Sequence, residues 1–176
     1  MRRRLRVPML FALLLAVGAC ESETTSWVRV EPAVEAPDFT LIQLQTGQPL
    51  RLSELRGRIV LMEFWATWCG PCRFSTPSLD AVYRRYRDRG VVALLINEGE
   101  PADTVRKWAG RRFTAPILLD SQHQAAQQYQ IQGVPRLFVI DQQGRILYDR
   151  SGYRGGLERD LKRILDELLA ARPSPA

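Results

Sequence analysis

Two thiols, Cys69 and Cys72, sit in the stretch Trp68-Cys69-Gly70-Pro71-Cys72, with Trp65 just upstream. A pair so spaced can bind a metal, attach haem, form a static bridge or carry electrons. Structural zinc needs four Cys or His ligands. Beyond the pair, the chain offers only His123 and Cys20, and Cys20 lies at the end of an N-terminal leader. A c-type haem requires His directly after the second cysteine; Arg73 stands there. A static bridge stays open as a reading, but a loop with two intervening residues restrains little of the unfolded chain. The pair calls for no cofactor and no metal if it works as a dithiol.

The redox reading fits the local sequence. A strand ending at Trp65, a short loop and a helix starting near Pro71 would set Cys69 at a helix N-terminus. Unpaired N–H groups and the helix dipole there favour a thiolate, the nucleophilic form. Cys72, expected one turn inside the helix and less exposed, would resolve the mixed disulfide that Cys69 forms. Glu63 interrupts the apolar run Ile59-Val60-Leu61-Met62 before Phe64-Trp65. A charge in a buried strand is costly unless it is paired or used. Two readings of Glu63 stand: a working carboxyl with a pKa raised by burial, or an arm that reaches solvent or Arg73.

These residues need elements to hold them. Residues 39–44 and 49–52 flank Thr46-Gly47 and predict a hairpin. Residues 58–65 and 91–97 are apolar runs of strand length, read as central strands buried on both faces. Between them, Leu79, Val82, Tyr83 and Tyr86 give the helical spacing of a segment from about Pro71 to Asp88, closed by Gly90. Helices are predicted over 103–113 and 121–130, with a short extended piece at 116–120 between them. Residues 136–141 and 145–150 flank Gln142-Gln143-Gly144 as a late hairpin of edge strands. A last helix carries Leu157, Leu161, Ile164, Leu165 and Leu168 on one face. Alternating strands and helices predict an α/β domain, a central mixed sheet flanked by helices with an extra N-terminal hairpin.

The formal charge of +6 comes largely from Arg2, Arg3, Arg4 and Arg6. Without residues 1–19, 21 basic side chains face 19 acidic ones, which leaves no electrostatic footprint for nucleic acid. Those arginines precede Val7–Ala19, too short to span a bilayer but suited to a signal-peptide core. Val17-Gly18-Ala19-Cys20 resembles a bacterial lipobox, which implies that Cys20 becomes an acylated membrane anchor. The expected organisation is a lipoprotein signal peptide at 1–19, a flexible tether at 20–35, a domain at 36–171 and a disordered tail at 172–176. As a coil, the tether would reach roughly 20–25 Å. With or without lipid, the leader delivers the domain outside the cytoplasm, where disulfides persist; without lipid it would be secreted and soluble.

The stretches Leu55–Arg73 and Gly133–Asp141 resemble the TlpA/ResA-like branch of thioredoxin-fold proteins, membrane-anchored extracytoplasmic thiol–disulfide oxidoreductases. The resemblance runs over about 36–170 and implies the thioredoxin fold. It implies that Cys69 and Cys72 form the redox-active disulfide, that Pro135 is a cis-proline facing them, and that Val134 offers backbone groups to an extended substrate. Trp68, Gly70 and Pro71 would touch that substrate. Glu63 would take the proton of Cys72, and Pro77 would kink the helix. It further implies disulfide-bearing extracytoplasmic proteins as substrates and a transmembrane thiol relay as electron donor.

The chain also departs from the branch. Many relatives have Glu three residues after the second cysteine, where this chain has Ser75, and the second central strand has Leu94 and Leu95 where thioredoxins often have a lysine. With no cation in Gly70-Pro71 and a carboxyl nearby, the pair is expected to be moderately reducing. A non-catalytic docking module and a thiol peroxidase, the latter suggested by the opening Ala36-Pro37-Asp38-Phe39, are the competing readings.

Overall fold

A computed structural model describes residues 27–171. The expected signal peptide, Cys20 and the expected disordered tail lie outside the described residues. Eight strands and four α-helices follow in order: β1 (Val28–Glu35), β2 (Thr40–Gln43), β3 (Pro49–Arg51), β4 (Ile59–Trp65), α1 (Cys72–Tyr86), β5 (Val91–Glu98), α2 (Ala102–Ala109), β6 (Ile117–Asp120), α3 (Gln124–Gln128), β7 (Arg136–Ile140), β8 (Arg145–Ser151) and α4 (Leu157–Ala170). The strands form one mixed sheet in the order β1-β8-β7-β4-β5-β6-β2-β3. β4 runs parallel to β5 and antiparallel to β7, so the strand leading to Cys69 lies at the centre.

Alternation along β4 sorts its side chains between two cores. Ile59, Leu61 and Trp65 pack with Leu79 and Val82 of α1, Val105 of α2, and Leu161 and Ile164 of α4. Val60, Met62 and Phe64 face Phe39, Ala125 and Tyr129 on the other side. All seven residues of β4 are buried. Each large apolar side chain so buried stabilises the fold by about 1.5–3 kcal/mol. Glu63 shares the face of Leu61 and Trp65, the face covered by α1.

The structure corrects several expected boundaries. The tether expected over 20–35 does not extend past residue 27, because Val28–Glu35 is strand β1, antiparallel to β8. Its register shifts between Arg29 and Val34, across Pro32, which has no N–H for the ladder. Trp27 packs edge-on against Tyr148, with the Arg150 guanidinium 5.8 Å from its ring. β8 is therefore not an edge; β1 covers it. α2 ends at Ala109 rather than near 113, because Gly110 turns the chain at φ +45°. α3 is limited to five residues, and His123 precedes it in a left-handed conformation, 3.3 Å from Glu98. Pro77 lies inside α1 without dividing it.

Candidate active site

β4 delivers the chain to a loop, Ala66–Pro71, at the C-terminal edge of the sheet's centre. Cys69 N–H bonds back to the Ala66 carbonyl at 3.2 Å. Cys69 and Cys72 are joined as a disulfide. The sequence places Cys72 a turn into the helix, but it is the first residue of α1 and Pro71 is the cap. The amide of Cys72 donates to Cys69 Sγ at 3.2 Å. An N–H at the helix start thus points at the first sulfur, the arrangement that stabilises a thiolate. Both cysteines are buried, and Cys72, as expected, is the less exposed of the two.

Facing the disulfide is Gly133-Val134-Pro135, ahead of β7. The Val134–Pro135 peptide is cis, and the Val134 carbonyl oxygen lies 3.4 Å from Cys69 Sγ. Trp68 projects into solvent at 70% exposure and Phe74 at 63%, and Phe74 stacks on Tyr153 at 5.9 Å. Trp65, by contrast, is fully buried against Trp108 and Phe113. The sequence-predicted residues Trp68, Gly70, Pro71, Val134 and Pro135 therefore gather around one disulfide, with an apolar and largely exposed rim.

Glu63 lies beneath this rim. It is 0% exposed, and its Oε1 accepts hydrogen bonds from Ser75 Oγ at 2.5 Å and Thr76 Oγ1 at 3.3 Å. Among the described residues, its Oε2 has no hydrogen-bond partner. Ser75 and Thr76 stand three and four residues after Cys72, so the carboxyl meets the stripe of α1 that also bears the second cysteine. Burial pushes its pKa from 4.5 up to about 8, against the smaller downward pull of the two hydroxyls. The alternative in which Glu63 reaches solvent or Arg73 is overturned: Arg73 is exposed on α1, and the bonded partners are hydroxyls. Ser75, where the resemblance leads one to expect an acid, thus donates to this one.

One carboxylate escapes the sequence reasoning. Glu100 accepts the Thr67 backbone N–H at 2.7 Å, the Thr67 hydroxyl at 2.5 Å and the Asn97 carboxamide at 2.7 Å. It ties the loop one residue ahead of Trp68 to the end of β5. The available signal is an acid just past the C-terminal end of a parallel strand, where α/β sheets place their sites.

Comparisons with known proteins agree with this geometry. The chain matches the AhpC/TSA family over residues 32–149. It is 35% identical over 175 residues to a thiol-disulfide oxidoreductase ResA of Geobacillus kaustophilus, covering 96% of this chain and 99% of that one. Its structure resembles that of a putative thiol:disulfide interchange protein DsbE from Chlorobium tepidum, with a TM-score of 0.71 and 29% identity, over 78% of this chain and 96% of the other. A thioredoxin family protein from the same organism gives 0.68 and 27%, over 78% and 97%. The expected thioredoxin fold, a mixed sheet flanked by helices, is thereby shown.

Proposed function

We propose a direction and a setting for a chain that belongs to the AhpC/TSA family and is a ResA-like thiol–disulfide oxidoreductase: it is a lipid-anchored, extracytoplasmic protein-disulfide reductase. The observation that carries this reading is the Cys72 amide at Cys69 Sγ beneath an exposed apolar rim. In the reduced protein, the Cys69 thiolate attacks one sulfur of a substrate disulfide. The substrate S–S bond breaks, one substrate thiolate leaves, and a mixed disulfide forms. Cys72 then loses its proton to Glu63 Oε2 and attacks Cys69 Sγ. The second substrate sulfur leaves as thiolate, and two electrons have passed from dithiol to substrate. A carboxyl that titrates near 8 still holds that proton at neutral pH once the disulfide has closed.

The Val134 carbonyl beside cis-Pro135 offers an acceptor to the backbone of an extended substrate, and Trp68, Gly70 and Pro71 present the contact surface. A transmembrane thiol relay would return the disulfide to the dithiol. Cys20 is the expected lipid site. Among the described residues, no helix is long and apolar enough to cross a membrane, which suits an anchor of that kind. Only residues 21–27 separate Cys20 from β1, a link of at most about 30 Å. Val28 pairs with Asp149, near the end of β8 that adjoins Arg136 and Pro135. The chain therefore enters the sheet at its disulfide end, which favours membrane-proximal substrates.

Trapping tests the reading. In the cells that make it, full-length protein with Cys72→Ser should accumulate mixed disulfides through Cys69, and Cys69→Ser should accumulate none. Absence of such adducts, together with an unchanged phenotype for Cys69→Ser, would favour the docking module instead.

A further inference from the structure

The two flanks of the disulfide differ in charge. On the side of β7, Arg136 is ion-paired to Asp149. On the other side, a cleft of about 630 Å³ opens between α1 and the end of α2, lined by Arg73, Pro77, Lys107, Trp108, Arg112 and Phe113. On the same two helices, Arg84 pairs with Asp80 and Arg106 with Asp103, whereas Arg85 has no ion pair among the described residues. Among the described residues, no carboxylate lies within 4.0 Å of the Arg73, Lys107 or Arg112 cation. All three are exposed. The Arg112 guanidinium sits 5.5 Å from the Trp108 ring, so it is held over an aromatic wall rather than by an acid.

We infer that this cleft receives an acidic segment of the protein whose disulfide Cys69 attacks, which rests on the reductase reading above. Three exposed cations without a carboxylate partner, on α1, on α2 and in the turn after α2, complement negative charge, and the Trp108 and Phe113 rings suit apolar side chains between them. Arg73 follows Cys72 directly, so an occupant lies within a few extended residues, at about 3.3 Å each, of the reacting sulfur. Trp108 and Phe113 both pack on Trp65, the residue from which the active-site loop departs. Polypeptide fits these walls better than an anionic lipid surface, because the cations rim a concave, aromatic-sided cleft instead of a flat face.

The test uses the full-length chain and two readouts. In the first, a fluorescently labelled acidic peptide without cysteine is titrated into the oxidised protein and followed by anisotropy. Binding should weaken at least about fivefold between roughly 20 mM and 0.5 M salt, as screening removes the attraction. Lys107→Glu with Arg112→Glu should abolish it. In the second, the reduced protein is given two disulfide peptides that differ only in acidic or basic flanks, with neutral hydroxyethyl disulfide as reference. The acidic peptide should show the higher kcat/KM by about fivefold at low salt. The double variant should lose or invert that order while reducing the neutral disulfide at the original rate. Peptide binding with no reduction of any disulfide would uphold the cleft and sink the reductase reading. Reduction without charge preference, a preference that survives the double variant, or binding of anionic vesicles in place of the peptide would overturn the cleft assignment.

Discussion

Glu63 lies within β4 against α1, and Glu100 lies just past the end of the neighbouring β5 against the active-site loop, and their surroundings are opposite. Glu100 receives three donors, a backbone amide, a hydroxyl and a carboxamide, shared between both its oxygens. Glu63 receives two hydroxyls on one oxygen and nothing on the other, in a site closed to water. A carboxylate with many donors is held as an anchor. Glu63 is raised to about 8 by its burial, against the smaller downward pull of its two hydroxyls, and can exchange a proton. The difference teaches that identity and proximity to the cysteines do not assign a role; burial does first, and the placement of donors after it.

The sharpest way to break this contrast is Glu63→Gln, which keeps the shape and removes the titration. A rise of the folded pKa from 4.5 to about 8 makes stability greatest below about 4.5, where folded and unfolded chains are both protonated. Between those values the unfolded chain gives up its proton while the folded one keeps it, so stability falls as pH rises through about 8. The full difference corresponds to roughly 5 kcal/mol. Denaturant unfolding of the oxidised protein from pH 4 to 9 should therefore show wild type losing stability relative to Glu63→Gln. Parallel curves would remove Glu63 as the titrating group. In the reduced protein the same substitution should slow release of the mixed disulfide about 10²-fold, the usual scale of a lost general base.

Glu100→Ala tests the other half. It strips the acceptor from Thr67 and Asn97, and hydrogen bonds to a charged group are each worth about 1.5–3 kcal/mol. The expected result is a loss of roughly 2–3 kcal/mol in the oxidised protein, with Trp68 fluorescence altered as its loop loosens. The pH profile of activity should keep its midpoint, since the variant leaves Glu63 untouched. A shifted midpoint would mean the two carboxyls are coupled after all.

The same contrast explains what could be read from the sequence. Cys69, Cys72 and the central strands are legible because their signals are local, a spaced thiol pair and apolar runs, whereas Gly133-Val134-Pro135 by itself reads only as a turn and the place of Pro135 comes from the resemblance. Glu63 stands out because it interrupts such a run. Glu100 does not, because its role depends on register: β4 and β5 pair Trp65 with Asn97, and only then does Glu100 reach the Thr67 amide. β1 is obscured for a related reason. Its residues alternate charge with valine and include Pro32, and the pattern becomes a strand only because β8 offers a free edge to pair with. The helix predicted over 103–113 is overextended because Gly110 turns the backbone after Ala109.

The smallest expected effect separates the two hydroxyls from the burial that surrounds them. Ser75 donates to Glu63 Oε1 and lowers the carboxyl pKa, though burial outweighs it. Ser75→Ala removes that donor, so the midpoint of the activity profile should move upward, by no more than about one pH unit if a single hydrogen bond of about 0.5–1.5 kcal/mol is lost. The variant leaves the anchor at Glu100 intact, so Trp68 fluorescence should not change. A rate measured at pH 7 should fall slightly, because a smaller fraction of Glu63 is ionised and ready to take the Cys72 proton. Raising the pH should restore it. A downward shift would mean that Ser75 favours the protonated carboxyl instead, accepting a proton from it rather than donating one. In that case the unpartnered Oε2 is not the atom that faces Cys72 chemistry, and the proton path would have to run through the hydroxyl.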